Sequence, residues 1–255
     1  MLKLLEVEWI KLKYYRSFWV ILSFFVLAVF VFNYFAYMLT GRHISGVNKA
    51  FTFPDVWNTV TYISGFLFFI PAMLFITLIT NEINFRTNRQ NIVNGVSRTQ
   101  YVQIKFIFII LLSITFTISV YLCAITFGLF CKAAFSFNHT SYICFFFLQC
   151  LSYSSLSLVF AMFIKKAGLA IASFILYAWI FEKSLSGIFN AAFKYNVGNY
   201  LPLSASDKLI PIPMGRDLSG QLLGTGSVPI QLIMTVIYLI IFYQVAMFKA
   251  KHEDI

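Results

Sequence analysis

Charged residues are distributed so unevenly along the chain that they separate six long uncharged windows. These windows cover residues 17–41, 56–81, 106–131, 133–164, 167–181 and 218–248. Five of them exceed the roughly 20 residues that a helix needs to cross the hydrocarbon core of a bilayer. The fifth window in chain order is shorter and ends at Glu182, but a helix from 167 to 187 would still span. The pattern therefore predicts an all-α polytopic membrane protein with six transmembrane helices, at about 17–40, 57–81, 102–131, 140–164, 167–187 and 228–248.

The segment before the first window is amphipathic. Residues 2–16 place Leu2, Leu5, Trp9 and Leu12 on one helical face, with charged side chains around the rest. That pattern predicts an interfacial helix that lies in the headgroup plane before the chain enters the first span. The alternative is a simple cytoplasmic extension of the first transmembrane helix.

The connection between the second and third windows carries dense local signals. Apolar positions at helical spacing predict a short amphipathic helix over residues 83–94. Gly95 can end that helix in the left-handed conformation. Ser97 and Gln100 then form the Ser-x-x-Gln pattern of a capping box at the start of the third span, with Val96 and Tyr101 at the positions of a hydrophobic staple.

This basic loop allows two interpretations. In the first it is a solvated connector whose arginines only fix the topology. In the second it docks a cytoplasmic partner, and Arg86, Arg89 and Arg98 are available for bidentate pairing with carboxylates. The defined start and stop signals favour docking.

The longest connection, residues 188–227, follows the fifth window. Its prolines and glycines break any long helix, and irregular backbone in hydrocarbon must be packed within protein. We therefore predict an outer re-entrant hairpin between the fifth and sixth helices. Glu182, just before this loop, is the one ionisable group placed within the bilayer thickness. It either belongs to an outer gate or substrate path, or it only anchors the hairpin, lying near headgroup level or pairing with a cation such as Lys183 or Lys194.

Composition and charge exclude several classes. The chain of 255 residues is 60% hydrophobic and only 11% charged, with a mean hydropathy of +0.82, whereas soluble domains carry about 25% charged residues. The net charge of +10 lies mainly in residues that flank the spans, which favours lipid headgroups over nucleic acid. An orientation with both termini in the cytoplasm places most of the lysines and arginines in cytoplasmic segments. Because membrane proteins carry their excess of positive residues on that side, this orientation is predicted.

Patterns for catalysis are absent from the sequence. It has no His-Glu-x-x-His zinc helix, no acidic cluster for magnesium and no phosphate-binding P-loop. Its four cysteines lack the short paired spacing of a zinc site and are interpreted as core residues. The chain is therefore predicted not to be an enzyme and to hold no metal or cofactor, so any ATP-driven step would need a partner chain.

A further observation is a resemblance. Glu82, the run Arg86-Thr87-Asn88-Arg89-Gln90, Gly95, Ser97-Arg98 and Lys105 are similar to the loop after the second span in permease subunits of ABC-2 type transporters, and the overall architecture resembles theirs. The resemblance implies a permease subunit of an exporter in a bacterial cytoplasmic membrane, with the ATPase activity on separate subunits. Two permease chains, identical or related, would pair, with helices 1, 2 and 5 near their interface, and ATPase subunits that bind ATP and Mg²⁺ would dock on the 83–94 coupling helix. The implied ATPase-coupling residues are Glu82, Arg86, Thr87, Arg89, Gln90, Asn91, Gly95 and Arg98.

Two other functions remain open at this stage. One is a secondary transporter driven by an ion gradient, which normally carries intramembrane acids and related halves. The other is a noncatalytic scaffold or sensor subunit of a membrane complex. The aromatic and aliphatic spans fit a lipid, a hydrophobic peptide or a drug-like substrate better than a sugar.

Overall fold

The computed structural model describes residues 2–43, 50–85, 87, 90, 95–131, 134–193, 196–213 and 227–252, and this part of the chain is helical without strands. The helices are α1 (Leu2–Tyr14), α2 (Arg16–His43), α3 (Val56–Gly65), α4 (Phe69–Asn84), α5 (Arg98–Phe130), α6 (Ser141–Ile164), α7 (Ala167–Ile175), α8 (Glu182–Ala192), α9 (Pro202–Asp207) and α10 (Val228–His252). A π-helical turn, Leu176–Phe181, joins α7 to α8, and a 3₁₀ turn, Val197–Tyr200, precedes α9.

Five helices in the described ranges are long and apolar enough to cross a membrane. They are Arg16–Leu39 within α2, α5, α6, the continuous segment Ala167–Ala192 and α10. Helices α3 and α4 meet the same criterion together, bent by 46° at a short break, and they make a sixth span if the pair is counted as one. The protein is thus an all-α polytopic membrane protein, as the sequence pattern predicts.

The second predicted span is not one continuous helix. The chain tightens after Gly65, where the amides of Phe66 and Leu67 donate to carbonyls three residues back, and α4 restarts at Phe69. Pro71 explains the break, because its ring has no N–H and clashes with the carbonyl that a continuous helix would place four residues earlier. Near the start of a new helix the missing N–H costs nothing, since the first amides there have no intrahelical partner.

The fifth span runs further than the predicted end at residue 187. Its segment Ala167–Ala192 covers 26 residues and carries Glu182 in its interior. The π-helical turn lies directly before Glu182. Wide turns of this kind occur often at functional sites in helices.

Helix α1 and the last turn of α10 lie at the same end of the helix bundle as the start of α5, where the 82–98 loop ends. The Arg98 guanidinium donates to the backbone carbonyl of Lys251 near the end of α10, at 2.7 Å. On α1, Glu8 contacts Lys105 in the first turns of α5. We call this the terminal end of the bundle, and the other the opposite end.

Aromatic rings fill the core at the opposite end. Trp57 is fully buried, stacks on Tyr121 with ring centroids 5.5 Å apart and donates its indole N–H to the Ser136 carbonyl at 2.9 Å. This hydrogen bond satisfies the one polar atom of a large buried ring. The contacts hold the start of α3 against α5 and the connection to α6.

Candidate functional site

A buried ion cluster connects three helices at the terminal end. The Lys105 ammonium lies 2.5 Å from a carboxylate oxygen of Glu8 and 2.6 Å from one of Glu82. Lys11 completes the cluster, 2.9 Å from Glu8 and 3.7 Å from Glu82. The Tyr101 hydroxyl donates to the second oxygen of Glu82 at 3.0 Å. Two acids and two lysines give the ion cluster zero net charge.

Lys105 lies at the centre of the ion cluster. Its side chain is 4% exposed, whereas the Lys11 side chain is 33% exposed. A buried ammonium is tolerated only where carboxylates compensate for its lost hydration. For Glu8, burial alone would raise the pKa of the carboxyl, but the positive charges and hydrogen bonds of Lys105 and Lys11 outweigh this and hold the pKa below its usual value.

Helix α1 contributes Glu8 and Lys11 to the ion cluster. Among its described side chains, Glu8 and Leu12 are buried, whereas Trp9 and Ile10 are about half exposed. Trp9 is thus accessible to lipid headgroups, and the interfacial position of this helix stays a prediction. The side chains of Leu2 and Leu5 lie outside the described residues.

Two of the local signals predicted for the 82–98 loop are seen in the structure, the left-handed Gly95 and the capping box. Gly95 has a φ of +90°, a conformation that glycine adopts without strain. The Ser97 hydroxyl accepts from the Gln100 amide, and the Gln100 side chain accepts from the Ser97 amide, so the predicted capping box is confirmed.

The predicted coupling helix is described only in part. Ile83 and Asn84 are the last residues of α4, and Phe85 follows as its C-cap, so the first two residues of the predicted 83–94 helix belong to the preceding span. Thr87 and Gln90 are helical, and Gln90 is exposed. Arg86, Arg89 and Asn91 lie outside the described residues, and the proposed ATPase-coupling role of the whole set stays a prediction.

A cavity of about 310 Å³ lies beside the ion cluster. Glu8, Lys11, Glu82 and Lys105 line it together with apolar side chains of α4 and α5 and with Phe85 and Thr87 of the loop. Asn81 closes part of its wall by donating to the Tyr15 hydroxyl at 2.7 Å.

Glu182 caps a short helix at the opposite end. It is 1% exposed, and one carboxylate oxygen accepts the backbone amides of Leu203 and Ser204, at 2.7 and 2.6 Å. These are first-turn amides of α9, which have no partner within the helix. The predicted pairing of Glu182 with Lys183 is not seen, because the ammonium of Lys183 contacts Asp207 instead. Lys194 lies outside the described residues.

The outer hairpin returns through a close backbone contact. Ser186 on α8 donates to the Gly198 carbonyl at 2.9 Å, and the Gly198 amide donates to the Asn190 side chain at 2.8 Å. A Cβ at Gly198 would lie 2.2 Å from the Ser186 carbonyl oxygen. Only glycine therefore allows the 3₁₀ turn to pack this closely on α8. Helix α9 then contacts α6 and α10, and Tyr238 of α10 donates to the Tyr200 carbonyl at 2.9 Å.

A second cavity, of about 370 Å³, lies where this hairpin meets the broken second span. Asp207 on its wall accepts from Gln149 at 2.8 Å and from the Tyr153 hydroxyl at 3.0 Å, and it pairs with Lys183. The other lining side chains include the aromatic residues Tyr62, Phe66, Phe68, Phe69 and Trp179.

Sequence reasoning missed most of these polar residues. Lys105 carried a usable signal, since it stands directly before the apolar run FIFII of the third span and so needs a compensating acid. The sequence gives no signal that Glu8 is the partner of Lys105. The two residues are 97 positions apart, and Glu8 resembles any other acid on an amphipathic helix. Asp207 likewise lies in a loop whose return toward α6 no local pattern reveals.

The helical spans define an integral membrane protein, and comparison with known proteins gives its family. Residues 4–195, well over half of the chain, match the family described as ABC-2 family transporter protein. The chain belongs to this family. It is accordingly a multi-pass permease of ABC-type transport, and membership implies association with ABC ATPase partners. No curated protein matches the sequence significantly.

Proposed function

We propose that the protein is the permease subunit of an ATP-driven ABC-2 type exporter in a bacterial cytoplasmic membrane, and that it couples to separate ATPase subunits through the loop after α4. Two permease chains, identical or related, would form the translocation path. ATP and Mg²⁺ would be held by the partner ATPases, since this sequence has no P-loop.

The observation that carries this proposal is the ion cluster beside the loop. Glu82 lies in the last turn of α4, where the loop starts, and Lys105 follows the loop on α5; the two side chains meet at 2.6 Å. Glu8 adds α1 to the same contact. A force applied to the loop would therefore reach α1, α4 and α5 together through packed and ion-paired groups.

The first experiment tests ATPase docking. The tagged permease is coexpressed with its ATPase, copurified in mild detergent and assayed for ATPase retention and for ATP-dependent transport in vesicles. We expect Arg86→Glu and Arg89→Glu to reduce both. Arg16→Glu is the matched control, because Arg16 is exposed and lies near the same end of the bundle, and it should leave retention unchanged.

Other results would contradict the proposal. Wild-type protein that retains no ATPase, or loop variants that transport normally, would exclude docking at this loop. Transport that continues without ATP and stops when the proton gradient is dissipated would favour a secondary transporter. A purified assembly that moves no substrate under either condition would favour a scaffold role.

A further inference from the structure

Arg98 occupies a position that its own helix disfavours. It is the first residue of α5, and the start of a helix carries the positive end of the helix dipole together with amides that have no partner within the helix. A cation is therefore unfavourable there, and the first turn of α5 contains no acidic residue that could offset it. The stabilising contact of this arginine has to come from another element.

That contact is with the end of α10. The Arg98 guanidinium donates through Nη1 to the backbone carbonyl of Lys251 at 2.7 Å, across 153 positions of the chain. Lys251 lies in the last turn of α10, where the carbonyls have no partner within the helix and the dipole is negative. The charge that is unfavourable at the start of α5 is thus favourable at the end of α10.

The Arg98 contact differs in kind from the neighbouring contacts of α10. The Phe106 and Tyr243 rings of α5 and α10 meet edge to face with centroids 4.9 Å apart, and the Lys249 ammonium lies 5.1 Å from the centre of the Phe163 ring of α6. Both join one side chain to another. Because Arg98 binds a backbone carbonyl, a displacement of Arg98 acts on α10 itself.

Further along, α10 holds the outer hairpin. The Tyr238 hydroxyl donates to the Tyr200 carbonyl at 2.9 Å, at the end of the 3₁₀ turn, and α9 packs against α10. Tyr238 and Lys251 belong to one continuous helix and are about 20 Å apart along its axis at 1.5 Å per residue. Helix α10 therefore joins the residue at which the 82–98 loop ends to the outer hairpin.

From these contacts we propose that Arg98 is a positioning residue, which fastens α10 to the start of α5 so that the outer hairpin follows movements of the 82–98 loop. This role differs from the predicted one, in which Arg98 binds the ATPase. The inference rests on the proposed function, since the movement that Arg98 passes on is the one that an ATPase imposes on the loop. The contact itself needs no ATPase, so the permease alone can test it.

Hydrogen–deuterium exchange of the full-length permease in nanodiscs, without ATPase or nucleotide, is the test. The readout is the exchange of the Leu203 and Ser204 amides, which donate to Glu182 at the start of α9. Arg98→Met removes the guanidinium and should speed this exchange about twofold to fivefold, which is less than the full loss of a hydrogen bond because the effect is transmitted. Tyr238→Phe removes the outer contact and should have a similar effect.

The matched control is Arg16→Met. Arg16 is likewise the first residue of a helix, α2, and is exposed, and it makes no hydrogen bond or ion pair within the described part of the chain. This variant should exchange like wild type. Arg98→Lys keeps a cationic donor and should restore most of the wild-type protection. The connection 134–140, which is not in contact with α10, should exchange equally in all variants, because a general loss of stability would speed it as well.

The double variant Arg98→Met, Tyr238→Phe separates a connected from an independent effect. If α10 links the two contacts, the double variant should exchange no faster than the faster single variant. Multiplied effects would show that the contacts act independently and would overturn the inference. Unchanged hairpin exchange in Arg98→Met, faster exchange confined to the last turn of α10, or the same increase in Arg16→Met would also overturn it.

The docking experiment provides a second readout. The Arg98→Met permease should retain the ATPase as wild type does, whereas the Arg86→Glu permease should not. Reduced retention in Arg98→Met would assign Arg98 to docking and would overturn the positioning role. A wild-type permease that retains no ATPase contradicts the proposed function, and the exchange measurements then decide the role of Arg98 by themselves.

Discussion

At the scale of single residues, Lys105 shows how a charge is tolerated beside the membrane. Its ammonium lies between two carboxylates and its side chain is 4% exposed, whereas Lys11 contacts the same two acids from a partly exposed position. The same ion cluster therefore contains one lysine that is buried and one that water can still hydrate. This difference makes the two lysines a natural pair for comparing a buried with an exposed ion pair.

We predict that Lys105→Met destabilises the protein by about 3–5 kcal/mol, because it leaves two acids without their buried cation. Lys11→Met should cost less than about 1 kcal/mol, as exposed ion pairs do. Unfolding in detergent micelles measures both. The triple variant Glu8→Gln, Glu82→Gln, Lys105→Met should recover part of the loss, because it removes the unpaired charges as well. Equal losses for the two lysine variants would contradict the assignment of Lys105 as the central cation.

A second prediction at this scale concerns pH. The pKa of Glu8 is lower in the folded protein than its usual value of 4.5, so protonation opposes folding. The stabilisation from Glu8 is then fully present above pH 4.5 and is lost as the pH falls through the lower folded pKa. The unfolding temperature of wild type should fall toward that of Glu8→Gln between about pH 5 and 3.

The control for the pH experiment is Glu6→Gln, since Glu6 is exposed on the same helix. This variant should follow the wild-type profile across the whole range. A Glu8→Gln variant that keeps the full acid sensitivity of wild type would show that other groups cause it.

At the scale of helices and turns, a structural feature can be predicted from the sequence when the residues that cause it are close together in the chain. Gly95 and Ser97 were predictable because a left-handed turn and a capping box need only adjacent residues. The break after Gly65 also has a local cause in Pro71, but the hydrophobic window runs through it without interruption. The contacts of Glu182 with α9 could not be predicted, because they depend on where a long loop returns.

The outer hairpin gives a prediction at this scale. Gly198→Ala should destabilise the hairpin, because the added Cβ would meet the Ser186 backbone, which cannot move aside as a flexible side chain would. Gly187→Ala is the matched control, since a Cβ at Gly187 meets nothing within 4 Å. That control should be neutral or stabilising by up to about 1 kcal/mol, as alanine favours a helix over glycine.

Unfolding temperature and protease sensitivity of the outer segment measure both glycine variants. The expected result is a lower unfolding temperature and faster cleavage for Gly198→Ala alone. If both variants behave like wild type, the close packing of the 3₁₀ turn on α8 is not present in the membrane.

At the scale of the whole molecule, helix α1, the end of α10, the start of α5 and the ion cluster share one end, while the cavity beside Asp207 lies toward the other. Helices α4 and α6 connect these regions, since Phe75 of α4 and Leu158 of α6 line the cavity beside the ion cluster, and Phe68 and Tyr153 line the one at the opposite end. If an ATPase docks at the terminal end as proposed, α4 and α6 are the helices through which a movement there would reach the second cavity.

The proposed coupling to an ATPase requires that the terminal end faces the cytoplasm, as the distribution of lysine and arginine predicts. In a background without native cysteines, Asn138→Cys and Ser97→Cys place exposed thiols at the opposite and terminal ends. A membrane-impermeant maleimide should label Asn138→Cys in intact cells and Ser97→Cys only after permeabilisation. The reverse pattern would put the loop outside, where no ATPase could reach it, and the ion cluster would then stabilise the fold without transmitting force.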